Sequence, residues 1–304
     1  MDDFQLPITT LEDPYFDKQI HLLEDSFGAA TKYLELLEII KKEFNGNPQA
    51  FLEHRRSVKD KILNEILSSD AYKAMLADKS PLEDYKPLVG SRELYTEEQD
   101  GCMFISFDLI KANFQALRYI DPSIVRDCET WEEYVSKFTD IPYIAAAKQV
   151  RQEVLGKLNG KRLAAIERRV ANDFGKEFKH RLGIYGFSLF SIKTDEIIFK
   201  CEVTEKEFES FHCGDQTFQG FNFRANKFKL HKRVFKRALS EKRIVVYEKE
   251  DYLNDHRRIL KAVPAIYYPQ VYKLLNGMKI KDSDLVFAHD HELAKFMYPL
   301  ELVK

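Results

Sequence analysis

Two stretches decide the reading of this chain: Met103-Phe-Ile-Ser-Phe-Asp108, and Tyr185-Gly-Phe-Ser-Leu-Phe-Ser-Ile-Lys-Thr194-Asp195-Glu196-Ile-Ile-Phe-Lys-Cys201. The first is a short apolar run closed by an acid, the pattern of a buried strand with a carboxylate at its end. The second is a pair of β-runs flanking a polar tip, which is a hairpin signal. If these strands are neighbours in one sheet, Asp108, Asp195 and Glu196 meet at one place. Asp108 and Asp195 would then hold two Mg²⁺ ions, or Mn²⁺, which activate an attacking hydroxyl and stabilise a leaving pyrophosphate. Acids at strand ends and hairpin tips also serve the local backbone as hydrogen-bond acceptors, and it is the order of the elements around them that favours the chemical reading.

Outward from these strands, Ile110 to Tyr119 suits a helix that Asp121-Pro122 breaks, and Ile144 to His180 reads as helical and rich in Lys and Arg. Upstream, residues 18–44 carry apolar positions at helical spacing until Asn45-Gly46-Asn47-Pro48 stops them, and a second helix is expected from Gln49 to Ala77. Its basic side (Arg55, Arg56, Lys59, Lys61) is a candidate clamp on nucleic acid, and Asp78 to Gly90 reads as a linker. Downstream, strand-like pieces occur at Lys227–Leu230 and Ile244–Tyr247, with helical character from Asp255 to Leu275. His289-Asp290-His291-Glu292 lacks a metal-ligand spacing, and a polar helix start over His291–Met297 is expected. The fold class is α+β. The expected division is 1–90 helical, 91–203 a core with a helical insertion over 141–181, and 204–304 a mixed α/β extension.

The composition sets limits. With 304 residues, 44% apolar and 32% charged, the chain has the makings of a folded globular protein. Four cysteines without a CxxC pair suggest reduced thiols in a cytoplasmic or other reducing compartment. There is no run of apolar residues long enough for a membrane span, so no membrane partner is expected. No GxGxxG, P-loop or GxSxG occurs, and no organic cofactor is expected. The net charge is −2, so any attraction for nucleic acid must come from local distribution. The most basic stretch runs from Phe221 to Arg237 and interleaves rings with Arg224, Lys227, Lys229, Lys232, Arg233, Lys236 and Arg237, a composition suited to phosphates and bases. A solvated basic face with its Phe residues turned to the core has the same composition.

Across residues 102–203 the chain resembles the palm and fingers of family A DNA polymerases and their single-subunit RNA polymerase relatives. Phe104-Ile-Ser-Phe-Asp108-Leu-Ile-Lys-Ala-Asn113-Phe-Gln-Ala-Leu-Arg118 is similar to that family's motif A, with Asn113 where Glu is usual. Phe190-Ser-Ile-Lys-Thr194-Asp195-Glu196-Ile-Ile-Phe is similar to its motif C, with Thr194 in place of His. The resemblance implies a palm-like antiparallel sheet with a fingers-like helical insertion and catalytic roles for Asp108, Asp195 and Glu196. It also implies a nucleotide site at Asn113, Lys148, Arg151 and Lys157. The implied function is metal-dependent nucleotidyl transfer to a nucleic-acid end, with DNA and RNA both open and a nucleoside triphosphate as co-substrate. The alternative is a non-catalytic nucleic-acid-binding or assembly protein on the same scaffold.

Overall fold

In the computed structural model the described residues are 14–78, 88–158, 160–289 and 292–303. The chain is α+β, as expected. Three helices open it, α1 (Phe16–Leu22), α2 (Glu24–Phe27) and α3 (Ala29–Phe44). Asn45 and Gly46 both adopt left-handed φ and end α3. The expected second helix is two, α4 (Pro48–Ser68) and α5 (Asp70–Ala77), because Ser69 leaves the helical conformation and caps the Tyr72 amide with its hydroxyl. Of the linker read over Asp78–Gly90, residues 79–87 lie outside the described residues.

Next come β1 (Met103–Leu109), α6 (Ala112–Ile120), α7 (Trp131–Val135), α8 (Pro142–Ala146), α9 (Lys148–Leu155) and α10 (Gly160–Gly183). The hairpin strands follow as β2 (Phe187–Ile192) and β3 (Glu196–Cys201), then α11 (Glu205–Ser210), β4 (Gln216–Phe218), β5 (Phe221–Arg237) and β6 (Arg243–Asp251). The chain finishes with β7 (Arg257–Lys261), α12 (Tyr268–Leu275), β8 (Val286–His289), β9 (Glu292–Lys295) and β10 (Leu300–Leu302).

Two expectations fail here. The span Asp255–Leu275 is not helical throughout, since its first part is β7 and only Tyr268–Leu275 forms a helix. The helix expected from His291 is instead β9, recruited by β8 through the pairs Val286↔Lys295 and His289↔Glu292; Asp290 and His291 lie outside the described residues. Pairing with a partner strand outweighs the local pattern there.

The chain forms two compact units. The smaller comprises residues 1–52, 231–249 and 258–304, and the larger 53–230 and 250–257. In the smaller unit Phe235, Val246, Val271 and Leu300 anchor an apolar core, and the buried Lys273 ammonium is held by Asp284 and Asp25, each at 2.9 Å. In the larger unit four antiparallel strands stand in the order β2-β3-β1-β5, with β4 added to β5. Since α6 to α10 lie between β1 and β2, and α11 between β3 and β5, the connectivity is a split β-α-β followed by a second one.

The two faces of this sheet are packed differently. Phe107 of β1 meets Phe174 and Phe178 of α10, and Phe174 stacks on Phe223 of β5. On the alternate face Phe104 packs against Phe190 and Phe228. Gly175 brings α10 close to the hairpin, because a Cβ there would meet Ile192 Cδ1 at 3.0 Å. Among the described residues no helix is long and apolar enough to cross a membrane.

Candidate active site

The register places Asp108 directly opposite Glu196 on β3 and Arg224 on β5, so an acid, an acid and a guanidinium form one row across three strands. Directly opposed like charges repel, and Arg224 on the other flank of Asp108 offsets that repulsion. Asp195 sits at the exposed tip between β2 and β3. Its carbonyl accepts a 2.8 Å bond from the Leu109 amide, which ties the hairpin tip to the end of β1. On the other side the Ile110 amide donates to the Asn222 carbonyl at 3.0 Å. Gln115 locks that junction: its amide nitrogen donates to the carbonyls of Ile110 and Asn222, and its oxygen accepts from the Asn222 amide at 2.6 Å.

The end of β1 opens into a cleft of about 430 Å³. Asp108, Asn113, Lys148, Arg151 and Asp195 all line it, joined by Lys111, Gln152, Leu155 and Arg224. Lys148, Arg151, Gln152 and Leu155 fall at helical spacing on one side of α9, which is why a single short helix supplies two cations and an amide to the cleft. Glu132 of α7 pairs with Lys111. It also supports Arg151, whose pKa burial pushes down while Glu132 opposes that push. The cleft therefore carries two carboxylates and four cations.

A third carboxylate lies behind it. Glu167 of α10 is 4% exposed, and its Oε1 has no hydrogen-bond partner among the described residues. Burial, with the charge of Asp195 adding to it and Arg168 opposing, raises its pKa to about 7. Nothing in the local sequence distinguishes this acid from a solvated helix residue; only its phase among Leu163, Ile166 and Val170 hints at burial.

Not every expected residue belongs to the cleft. Glu196 shares the row with Asp108 but does not line the cavity; together with burial its charge raises the pKa of the Tyr95 phenol. Lys157 is exposed beyond the end of α9 and does not line the cavity.

The basic stretch of β5 divides. Arg224 belongs to the cleft. Lys227 is buried at 3% exposure, its ammonium donating to the carbonyls of Glu209 at 2.9 Å and Phe211 at 2.8 Å and lying over the Phe208 ring, so it is not a surface that meets phosphate. Lys229 pairs with Glu205 at 2.8 Å and Arg233 with the buried Glu248 at 2.8 Å. Arg237 lies over the Phe296 ring, Lys232 is half-buried and Lys236 is exposed. The clamp read on α4 is likewise partly internal: Arg55 and Lys59 both pair with Glu153 of α9.

Among the described residues no group of three or more His, Cys, Asp or Glu side chains is arranged to hold a metal ion. The cleft offers the two carboxylates Asp108 and Asp195 as hard oxygen donors. That set suits Mg²⁺, which keeps several waters and is commonly bound through one or two carboxylates together with substrate phosphates.

No family model, no curated protein and no solved structure matches this chain.

Proposed function

We propose that the chain is a metal-dependent nucleotidyltransferase, a reduced polymerase-like protein that adds nucleotides to a nucleic-acid end. The observation that carries this reading is the cleft itself. Asp108 and Asp195, read from their places at a strand end and a hairpin tip, line one cavity with Asn113, Lys148 and Arg151, which the polymerase resemblance implies. The split β-α-β connectivity, with an acid at the end of the central strand and another at the adjoining hairpin tip, supports a palm-like sheet.

Each residue has a chemical task in this reading. Asp108 and Asp195 would hold the two cations, which when bound would lower the pKa of an attacking hydroxyl and neutralise charge on the phosphates. Lys148 and Arg151, one turn apart on α9, with Arg224 opposite Asp108, take the negative charge of a triphosphate. The hydroxyl oxygen at the nucleic-acid end forms a bond to the α-phosphorus. The bond from that phosphorus to the bridging oxygen breaks, and pyrophosphate leaves with its electron pair. The hydroxyl proton passes to water. Phosphoryl transfer needs positioning and charge neutralisation more than covalent assistance, and the tie between Leu109 and Asp195 with the Gln115 clamp supplies the positioning. Asn113, at the start of α6 on the cleft wall, would meet the sugar of the incoming nucleotide, the role that the resemblance implies for it.

The test is incorporation of labelled dNTPs or NTPs into DNA and RNA hairpins with Mg²⁺ or Mn²⁺. The wild type extends a primer and Lys148→Ala with Arg151→Ala raises KM for the nucleotide by one to two orders of magnitude. Equal KM in that variant would remove the α9 cations from the nucleotide site. Failure of the wild type to extend any primer, with oligonucleotide binding retained, would turn the reading to the non-catalytic scaffold.

A further inference from the structure

Between Ile141 and Gly183 the chain carries ten Lys or Arg and four Asp or Glu, while the whole protein is at −2. Much of that excess lies on α10. At about 100° per residue, Lys161, Arg168, Arg169, Lys176 and Lys179 fall within an arc of about 100°, and all five are exposed. One acid of the helix meets the arc, through an exposed ion pair with Lys176 of the kind that contributes little and that a phosphate can displace. Glu167 is buried, Asp173 pairs with Lys176 at 3.0 Å, and Glu177 pairs with Arg181. Leu88 meets the helix at Asn172, its amide donating to Asn172 Oδ1 at 2.9 Å, and Lys176 and Lys179 are the cations of the arc C-terminal to that contact.

Immediately past the last turn of α10 the surface changes from charged to aromatic. Ile184 is 83% exposed and Tyr185 58%. They border a cleft of about 660 Å³ at the end of the hairpin remote from Asp195, lined further by Phe187, Phe211 and His212. Tyr185 and Phe187 lie 5.3 and 4.9 Å from the Phe211 ring, centroid to centroid, which forms a continuous aromatic wall. The acid of this cleft, Glu207, is occupied by the Thr204 amide and hydroxyl at 2.9 and 2.7 Å.

We propose that the last two turns of α10 and the Tyr185–Phe211 cleft form a binding site for single-stranded nucleic acid, with Lys176 and Lys179 on the phosphates and Tyr185 stacking on a base. A line of cations suits any polyanion; the exposed ring that follows two residues after the end of α10 selects one with planar groups to stack, and only unpaired bases present their faces. About 24 Å of α10 separates Glu167, beside Asp195, from Gly183, so the site is remote from the carboxylate cleft. It goes beyond the proposed nucleotidyl transfer and does not depend on it.

The experiment is fluorescence anisotropy of the full chain with labelled single-stranded dT and rU 12-mers, a 12-base-pair duplex, and phosphatidylserine vesicles as competitor. Tyr185→Ala weakens single-strand binding about tenfold or more, as loss of one stacked base does, and leaves the salt slope unchanged. Lys176→Glu with Lys179→Glu weakens it further and lowers the slope of log affinity against log salt by at least about 1.4, at about 0.7 per phosphate. These are surface positions, and circular dichroism of each variant checks the fold. The proposal falls if Tyr185→Ala binds single strands as the wild type does, if the duplex binds as tightly as the single strand, or if the vesicles displace the oligonucleotide at equal charge. Retained incorporation in Asp108→Asn would overturn the carboxylate mechanism alone, whereas wild-type single-strand binding by Tyr185→Ala would overturn the stacking site alone.

Discussion

Replacing Glu167 by Gln should make the protein more stable at pH 8 than the wild type, and leave it near equal at pH 4.5. The carboxyl is 4% exposed, with one oxygen unpartnered among the described residues and Asp195 nearby. Burial and that neighbouring charge penalise its ionised form and raise its pKa from the ordinary 4.5 to about 7. The folded state thus binds this proton more tightly than the unfolded chain does. The associated stability is complete below about pH 4.5 and is lost as pH rises to about 7. The difference corresponds to about 3 kcal/mol at pH 8. Glu167→Gln keeps the shape and removes the titration, so urea unfolding at the two pH values, read for both proteins, isolates it. The double difference between proteins and pH values should approach about 3 kcal/mol. A double difference near zero would refute the claim that a buried, unpaired acid stands behind the cleft.

Other positions separate structural from functional charge. Lys227→Met should destabilise by about 1–3 kcal/mol, since it leaves the Glu209 and Phe211 carbonyls without their donor. Its oligonucleotide affinity should match the wild type; a lower salt slope would return Lys227 to the nucleic-acid surface. Gly175→Leu should cost about 1–3 kcal/mol by overpacking against Ile192, measured by denaturant unfolding, and an unchanged midpoint would contradict the close approach of α10 to β2. Lys273→Met should cost about 3–5 kcal/mol in the smaller unit by leaving the buried Asp284 without its ammonium; a thermal scan at neutral pH reads this, and a neutral result would deny the pair its structural role.

The parts of this fold that were legible in sequence are those where one local pattern had one physical meaning. An apolar run closed by Asp108, and two β-runs around Thr194–Asp195, read as strands and are β1, β2 and β3, and helical spacing put Lys148 and Arg151 on one side of α9. The illegible parts depend on what lies across from a residue. Lys227 alternates in phase with Phe221 and Phe223, so it faces inward, and only the carbonyls at the end of α11 make that tolerable. Arg55 and Lys59 read as a surface clamp until Glu153 of α9 is seen to meet them. Glu292–Lys295 became a strand because β8 pairs with it. The smaller unit draws on three separate stretches of chain, which no linear change in composition marks. Glu167 was missed because burial of an acid is decided by the sheet beneath the helix, not by its neighbours in sequence.

In the proposed reaction Asp108 and Asp195 act together on a nucleotide. Metal-dependent primer extension, with DNA and RNA hairpins and both classes of triphosphate, tests it most directly when the wild type is run beside Asp108→Asn and Asp195→Asn. The wild type should extend the primer only with Mg²⁺ or Mn²⁺, and each variant should lose extension by at least about two orders of magnitude with oligonucleotide binding unchanged. Wild-type extension in either variant would contradict it.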